Sequence, residues 1–159
     1  MNLVFSCQKK NYQHLFDDSN ISYLDFNWES NNASKLWQIL DQIEEITEIF
    51  FDILNENKVM FIFCNSSLIR SISFLTLILM KAFRWTFRKC INYIKIKTSI
   101  DTFLNLYQSV LLKIQKNLQE EDPNIPFSDD WDSEFYGEER FKEIHNYITF
   151  SFKNIEVII

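Results

Sequence analysis

Glycine is almost missing from this sequence, and proline is scarce as well. The 159 residues contain one glycine and two prolines, whereas glycine alone averages about 7% of a typical protein. Such a composition excludes a collagen-like chain and a disordered chain of low complexity. It also argues against ordinary nucleotide or phosphate chemistry, because phosphate-binding loops usually need the backbone freedom and close approach that glycine allows.

An excess of positive charge is also lacking. The formal net charge is −6, which argues against nucleic-acid binding by a general basic field. The charge is nevertheless uneven along the chain. Residues 81–97 carry six bases and no acid, whereas residues 120–143 carry ten acids and two bases. We therefore expect two differently charged sides and no nucleic-acid partner.

Paired cysteines and a membrane-length apolar run are both missing. Cys7, Cys64 and Cys90 are odd in number and widely spaced, so they suggest neither a disulfide framework nor a zinc site. The N-terminal residues lack the continuous apolar run of a secretory signal. The longest apolar run, residues 72–83, contains Lys81 and is too short to cross a bilayer. The sequence therefore predicts an intracellular, reducing environment, with no membrane insertion, no metal and no cofactor.

The hydrophobic pattern predicts an α/β fold. Short apolar runs predict strands, and apolar residues at helical spacing predict helices between them. A buried strand that leads through a loop into a buried helix creates an anion site at the N-terminus of that helix. The predicted strands are residues 2–7, 21–26, 59–63, 147–152 and 155–159, and the predicted helices are residues 34–55, with Ser34 as the N-cap, 71–83, 86–97 and 98–121.

A cysteine and an arginine, with five residues between them, lie where the third predicted strand leads into the buried helix. Cys64 follows the strand, and Arg70 stands next to the helix. Loop amides and the helix dipole point at one spot there, which favours both a thiolate and a bound phosphate. The arginine adds a two-pronged positive clamp. The residues predicted to surround the phosphate are Asn65, Ser66, Ser67, Leu68, Ile69, Arg70 and Ser71.

Purely structural roles stay open for Cys64, Arg70 and Trp85. A free cysteine is most often a small buried hydrophobe, so Cys64 need not be a reactive thiol. Arg70 has the alternative role of capping loop carbonyls or pairing with an acid. Trp85, with Arg84 and Arg88 beside it, forms either a partner-binding patch or the end of a helix.

Residues along much of the chain resemble the dual-specificity protein phosphatases of the protein tyrosine phosphatase superfamily. Besides the Cys-x5-Arg spacing, Arg70-Ser71, Leu79-Met80 and Ile94-Lys95 stand, without gaps, where that family has Arg-Ser, Leu-Met and Val-Arg. Upstream, residues 21–24 resemble the family's Ile-x-Tyr-x strand. The resemblance covers roughly residues 2–118. It implies a phosphatase-like central sheet flanked by helices, with the cysteine as nucleophile and the arginine as phosphate clamp.

Departures from the family pattern imply that catalysis is lost. The family's histidine before the cysteine is Phe63 here, and the glycine three residues after the cysteine is Ser67. The general-acid aspartate falls near Ser30, with Glu29 and Asp25 close by as substitutes. Without that acid the leaving group departs unprotonated, which lowers the rate by about 10²–10⁴-fold. The resemblance therefore implies a strongly diverged, catalytically inactive pseudophosphatase with a vestigial nucleophile and clamp.

The resemblance also divides the chain into three parts. Residues 1–118 are the phosphatase-like domain, which lacks the family's first strand and helix and is expected to be N-terminally shortened. Residues 119–145 are predicted to form an acidic loop. Residues 146–159 are predicted to form a C-terminal β-hairpin that packs on the same domain, where it would cover a sheet edge left open by the missing strands.

The function favoured by these features is that of a structural or interaction component in a large intracellular assembly, with protein partners. Phosphatase-like folds occur as embedded parts of axonemal microtubules, so a cytoplasmic and ciliary or cytoskeletal setting is expected by analogy. Two alternatives stay open. One is a weak or specialised Cys-dependent phosphatase that acts on phosphotyrosine or phosphothreonine, and the other is a module that binds phosphate or a phosphopeptide in the loop.

Overall fold

The chain folds as an α/β protein, as its hydrophobic pattern predicts. The computed structural model describes residues 2–9, 11, 13, 20–56, 58–64, 68–98, 105–129 and 157–158. In these ranges four strands form one sheet, accompanied by five helices. The elements are β1 (Asn2–Ser6), β2 (Ile21–Asp25), α1 (Lys35–Leu40), α2 (Ile43–Asn55), β3 (Met60–Phe63), α3 (Ile69–Phe83), α4 (Phe87–Thr98), α5 (Asn105–Glu121) and β4 (Val157–Ile158).

The sheet has the strand order β2-β1-β3-β4. The strand β1 runs parallel to both of its neighbours, so that Leu3 lies opposite Ser22 on one side and Met60 on the other. A strand enclosed in this way is apolar on both faces, and Val4 and Phe5, which point in opposite directions, are both buried. The three parallel strands end at the same edge of the sheet, and this edge carries the predicted site.

The helix α3 is the hub of the helical layer, because it contacts β3 and each of the other four described helices. Thirteen of its fifteen residues are buried, as its almost unbroken apolar sequence predicts. The hydroxyls of Ser73 and Thr76 donate to the carbonyls of Ile69 and Ile72 one turn earlier, which satisfies them inside the core. The helix starts two residues before the predicted start and therefore includes Arg70.

The predicted helix over residues 34–55 is in fact two helices, α1 and α2. The chain leaves helical geometry at Gln42, whose φ and ψ are −108° and 3°, and the Gln42 amide donates to the Ile39 carbonyl three residues back, at 3.0 Å. The apolar spacing continues through this turn, since Ile39 and Ile43 are both buried. Periodicity alone therefore predicts one helix. Ser34, the predicted N-cap, makes no side-chain capping bond.

The segment predicted as an acidic loop begins as helix, because residues 119–121 form the end of α5. Residues 122–129 then return to the junction between α3 and α4. Ser128 fixes them there, since its amide donates to the Arg84 carbonyl at 2.8 Å and its carbonyl accepts from the Thr86 amide at 3.1 Å. The rest of the predicted loop, to residue 145, lies outside the described residues.

The strand β4 pairs antiparallel with β3, with Ile158 opposite Phe61 and Val157 opposite Ile62. It lies on the side of β3 that faces away from β1. The predicted hairpin needs a second strand at residues 147–152, which lie outside the described residues. The hairpin itself therefore stays a prediction.

The junction between α3 and α4 is not a surface patch around Trp85. This side chain is 1% exposed, and the Lys89 Nζ lies 4.8 Å from the centre of its ring. The Thr86 hydroxyl caps α4 by accepting the Lys89 amide at 3.1 Å. Lys81, one turn before the junction, pairs with Glu44 of α2. These residues therefore end one helix and start the next, which is the second of the two interpretations that the sequence allows.

Candidate functional site

The candidate site lies where β3 leads into α3. Cys64 directly follows β3, Ile69 is the first residue of α3, and Arg70 is the second. Leu68 precedes the helix with a left-handed backbone, φ 55° and ψ −7°, a conformation that costs a leucine about 1–2 kcal/mol. The middle of the predicted phosphate loop lies outside the described residues, so its contact with phosphate stays a prediction for Asn65, Ser66 and Ser67.

The Cys64 thiol is enclosed beside a hydroxyl and a second thiol. It is 1% exposed, and its Sγ lies 3.2 Å from the Oγ of Ser71, a hydroxyl that donates to the Leu68 carbonyl at 2.9 Å. On the neighbouring strand the Cys7 amide donates to the Phe63 carbonyl at 2.8 Å, which places Cys7 beside Cys64. Burial raises the pKa of the Cys7 thiol well above its usual value, and the negative charge that Cys64 would carry raises it further.

We expect the native protein to react slowly with thiol reagents, because all three cysteines are buried and free. Burial also raises the pKa of Cys90, and a protonated, enclosed thiol is a poor nucleophile. With Ellman's reagent at neutral pH, no thiol should react within minutes, and all three should react in denaturant. A fast thiol that disappears in Cys64→Ser, but not in the matched Cys90→Ser variant, would contradict this expectation.

Arg70 is held against a loop from another part of the chain. The residue is 3% exposed, and its Nη1 donates a 2.5 Å hydrogen bond to the Trp28 carbonyl. Trp28 is itself fixed, because its amide donates to the Gln8 carbonyl at 2.9 Å and its indole N–H donates to the Asn32 carbonyl at 2.8 Å. The guanidinium therefore ties α3 to the loop over residues 26–32, as in the interpretation of Arg70 as a cap for loop carbonyls.

The three residues at or near the general-acid position, Ser30, Glu29 and Asp25, each make a hydrogen bond within the protein. Ser30 is exposed, and its carbonyl accepts a 2.9 Å hydrogen bond from the Tyr107 hydroxyl. The Glu29 carboxylate pairs with Lys9 at 2.6 Å, and this hydrogen bond lowers the pKa of Glu29 below its usual value. Asp25 accepts the backbone amide two residues further on, at 3.0 Å. Since a general acid must keep its proton near neutral pH, a lowered pKa makes Glu29 a poorer one.

Phe63 stands where the dual-specificity phosphatases have a histidine, and its ring pairs with that of Phe61. The rings of Phe61 and Phe63 stack with their centres 5.5 Å apart and their planes 14° from parallel. Because side chains alternate along a strand, both rings lie on the face of β3 opposite to that of Cys64. A phenyl ring also offers no hydrogen bond with which to organise the loop that follows.

Two residues of the site, Trp28 and Tyr107, cannot be recognised from the sequence. Their rings lie 5.9 Å apart. Burial raises the pKa of Tyr107 above its usual value, while the positive charge of Arg70 opposes that shift. Tyr107 lies in the predicted helix over residues 98–121, and nothing in the sequence marks it as part of the site. The sequence carries no signal for Trp28, because Arg70 bonds a backbone carbonyl, a group that every residue type has.

Other kinds of site are not found in the described part of the chain. There, no three His, Cys, Asp or Glu side chains are grouped so that they could hold a metal ion. No helix of the same ranges combines the length and the apolar character needed to cross a membrane. No protein-family model matches the sequence, and no curated protein is detectably similar to it. The phosphatase resemblance therefore depends on the Cys64-x5-Arg70 spacing and on the short motifs before and after it.

Proposed function

We propose that this chain is a pseudophosphatase, a phosphatase-like module without catalysis that acts as a structural or interaction component of a larger intracellular assembly. Support comes first from the position of the Cys-x5-Arg segment at the end of a parallel strand and the start of a buried helix. The observation that carries the non-catalytic role is the hydrogen bond from Arg70 to the Trp28 carbonyl.

This hydrogen bond supports a structural role for Arg70. A catalytic arginine needs donors that face the oxygens of the substrate, whereas one terminal nitrogen of Arg70 is bonded to the main chain. A phosphate that took this donor would leave the buried carbonyl of Trp28 unsatisfied, at a cost of about 1–3 kcal/mol. The arginine is therefore better suited to fixing the loop than to stabilising a transition state.

The state of the predicted acids supports the same conclusion. Glu29 holds a negative charge that Lys9 stabilises, and Ser30 carries no titratable group at the predicted general-acid position. Attack by Cys64 on a phosphate ester would then expel an unprotonated alkoxide or phenoxide, which is about 10²–10⁴-fold slower than assisted departure. The acid and the clamp make two separate contributions to the same phosphoryl transfer, so the loss of one and the engagement of the other both argue against turnover.

Turnover of an aryl phosphate by the purified chain tests this proposal. We expect hydrolysis of p-nitrophenyl phosphate at the same background rate for the wild type and for Cys64→Ser. Cys90→Ser serves as a matched control for the loss of a buried thiol. Turnover that depends on Cys64, and not on Cys90, would overturn the pseudophosphatase proposal.

The proposed setting is the cytoplasm, in a ciliary or other cytoskeletal assembly, by analogy with phosphatase-like folds embedded in axonemal microtubules. Native purification of the tagged full chain tests this part separately. We expect it to elute with protein partners in a large complex. Elution of the chain as a monomer, without partners, would contradict the proposed role in an assembly.

A second candidate is a weak Cys-dependent phosphatase or a phosphate-binding module, and one observation favours it. The Ser71 hydroxyl lies 3.2 Å from the Cys64 sulfur, where it would stabilise a thiolate if it turned from the Leu68 carbonyl to the sulfur. Vanadate binding separates these functions from the first. Binding that is lost in Arg70→Ala, without turnover, would indicate a phosphate-binding module.

A further inference from the structure

A groove lies between the strand β2 and the helix α2. Two adjoining sections, of about 230 Å³ and about 610 Å³, share the lining residues Leu24, Glu45 and Ile49 and so form one channel. The lining includes residues from Gln42 to Glu56, so the channel follows α2 along its whole length. None of the described residues of the Cys-x5-Arg segment lines it.

The floor of the larger section of the groove is mainly apolar. Leu24 is 42% exposed and lines both sections, and the half-buried Ile49 lies in the same lining. Leu3 and Ile53 extend the apolar surface along the larger section. A single exposed leucine needs no explanation, but apolar side chains along a channel offer a continuous contact strip for a ligand.

The rim that α2 provides is acidic. The helix contains Glu44, Glu45, Glu48 and Asp52 and no base. Glu44 pairs with Lys81, whereas Glu45 and Asp52 are exposed, line the groove and make no ion pair with any described base. The C-terminal end of α2 adds the negative end of a helix dipole, with no basic residue in its last turn. The whole lining holds four acidic side chains, Asp25, Glu45, Asp52 and Glu56, and two basic ones, Lys35 and Lys58. Lys58 pairs with Glu56, so the groove keeps a net negative charge that attracts positive charge.

We propose that this groove binds an extended, basic segment of a partner protein. Lysine or arginine side chains would lie against Glu45 and Asp52, and apolar side chains would lie on Leu24 and Ile49. In extended chain, neighbouring side chains point to opposite sides, so one segment presents both kinds at once. The strand β2 is about 16 Å long, which matches five or six residues of extended partner. This inference rests on the proposed function, because it names the surface through which the module joins its assembly.

Charge favours a different protein over a second copy of this chain. The net charge of −6 makes two copies repel each other. Three of the six bases in the chain's own basic run are also engaged internally, since Arg84 and Lys89 are buried and Lys81 pairs with Glu44. A basic partner, by contrast, is attracted to both the rim and the whole molecule.

Fluorescence anisotropy with a labelled peptide of alternating lysine and leucine, about seven residues long, tests the proposal on the full chain. We expect Glu45→Lys and Asp52→Lys each to weaken binding about tenfold. Glu120→Lys makes the same change of charge at an exposed position of α5, outside the described lining, and should alter binding less than about twofold. Leu24→Ser should also weaken binding, with the exposed Leu112→Ser of α5 as its control. Circular dichroism verifies that each variant is folded.

Three results would each overturn the proposal. The first is no binding of the lysine peptide. The second is equal binding of a matched peptide with glutamate in place of lysine. The third is equal weakening by Glu120→Lys. A groove filled by the chain's own residues or by a second copy gives the first result. Cys64-dependent turnover would overturn the pseudophosphatase proposal and leave these binding results unchanged, so the two failures are distinguishable.

Discussion

Arg84→Ala is expected to lower the free energy of unfolding by about 3–5 kcal/mol. The guanidinium of Arg84 is buried and donates to three carbonyls at the end of α5, namely those of Leu118 at 3.2 Å, Asp122 at 3.1 Å and Ile125 at 2.5 and 3.2 Å. It also lies 4.3 Å from the centre of the Phe127 ring. Its removal takes four hydrogen bonds from these carbonyls, and only the Leu118 and Asp122 carbonyls keep a backbone donor among the described residues, at 3.3 Å each. The attachment of residues 122–129 to the domain is weakened as a result.

Urea unfolding of matched variants measures this effect. Arg84→Lys keeps the charge but loses the planar fork, so its loss of stability should be intermediate. Arg88→Ala removes an exposed arginine of α4 and should change stability by less than about 0.5 kcal/mol. The left-handed backbone of residue 84, with φ 55°, does not complicate the comparison, because arginine and alanine both carry a Cβ there. A loss below about 1 kcal/mol for Arg84→Ala would contradict the capping role.

Hydrophobic pattern is enough to predict the elements that carry the site. The strand β3 is a run of four apolar residues, and the apolar sequence of α3 leaves no polar face for water, so both had to be buried. Their succession brings Cys64 and Arg70 to one edge of the sheet. The break between α1 and α2 could not be predicted in this way, because Ile39 and Ile43 keep the apolar spacing across it.

The partners of the charged side chains could not be predicted from sequence. Arg84 belongs to a run of bases from which the sequence predicts a positively charged side of the molecule. Its hydrogen-bond acceptors are instead backbone carbonyls that lie 34 to 41 residues later in the chain. Arg70 likewise bonds a carbonyl 42 residues earlier. Backbone carbonyls are the same in every residue, so only the folded arrangement of distant segments selects them.

Arg70→Ala is expected to lower the free energy of unfolding by about 2–4 kcal/mol. The variant would leave the Trp28 carbonyl without the Arg70 donor and open space beside Cys64 in the buried site. An arginine whose only role is to bind substrate behaves differently. Its replacement by alanine leaves the free energy of unfolding unchanged or raises it, because functional sites are often strained and charged. Urea unfolding distinguishes the two roles. Arg70→Lys keeps the charge without the fork and should restore only part of the stability.

Phosphate provides the second half of this test, because a ligand that binds only the folded state raises its stability. At a concentration 100 times its Kd, such a ligand adds about 2.7 kcal/mol. We expect phosphate to change the stability of the wild type and of Arg70→Ala equally, since its general salt effect acts on both. Stabilisation of the wild type alone would mean that Arg70 holds an anion. The site would then be a phosphate-binding module.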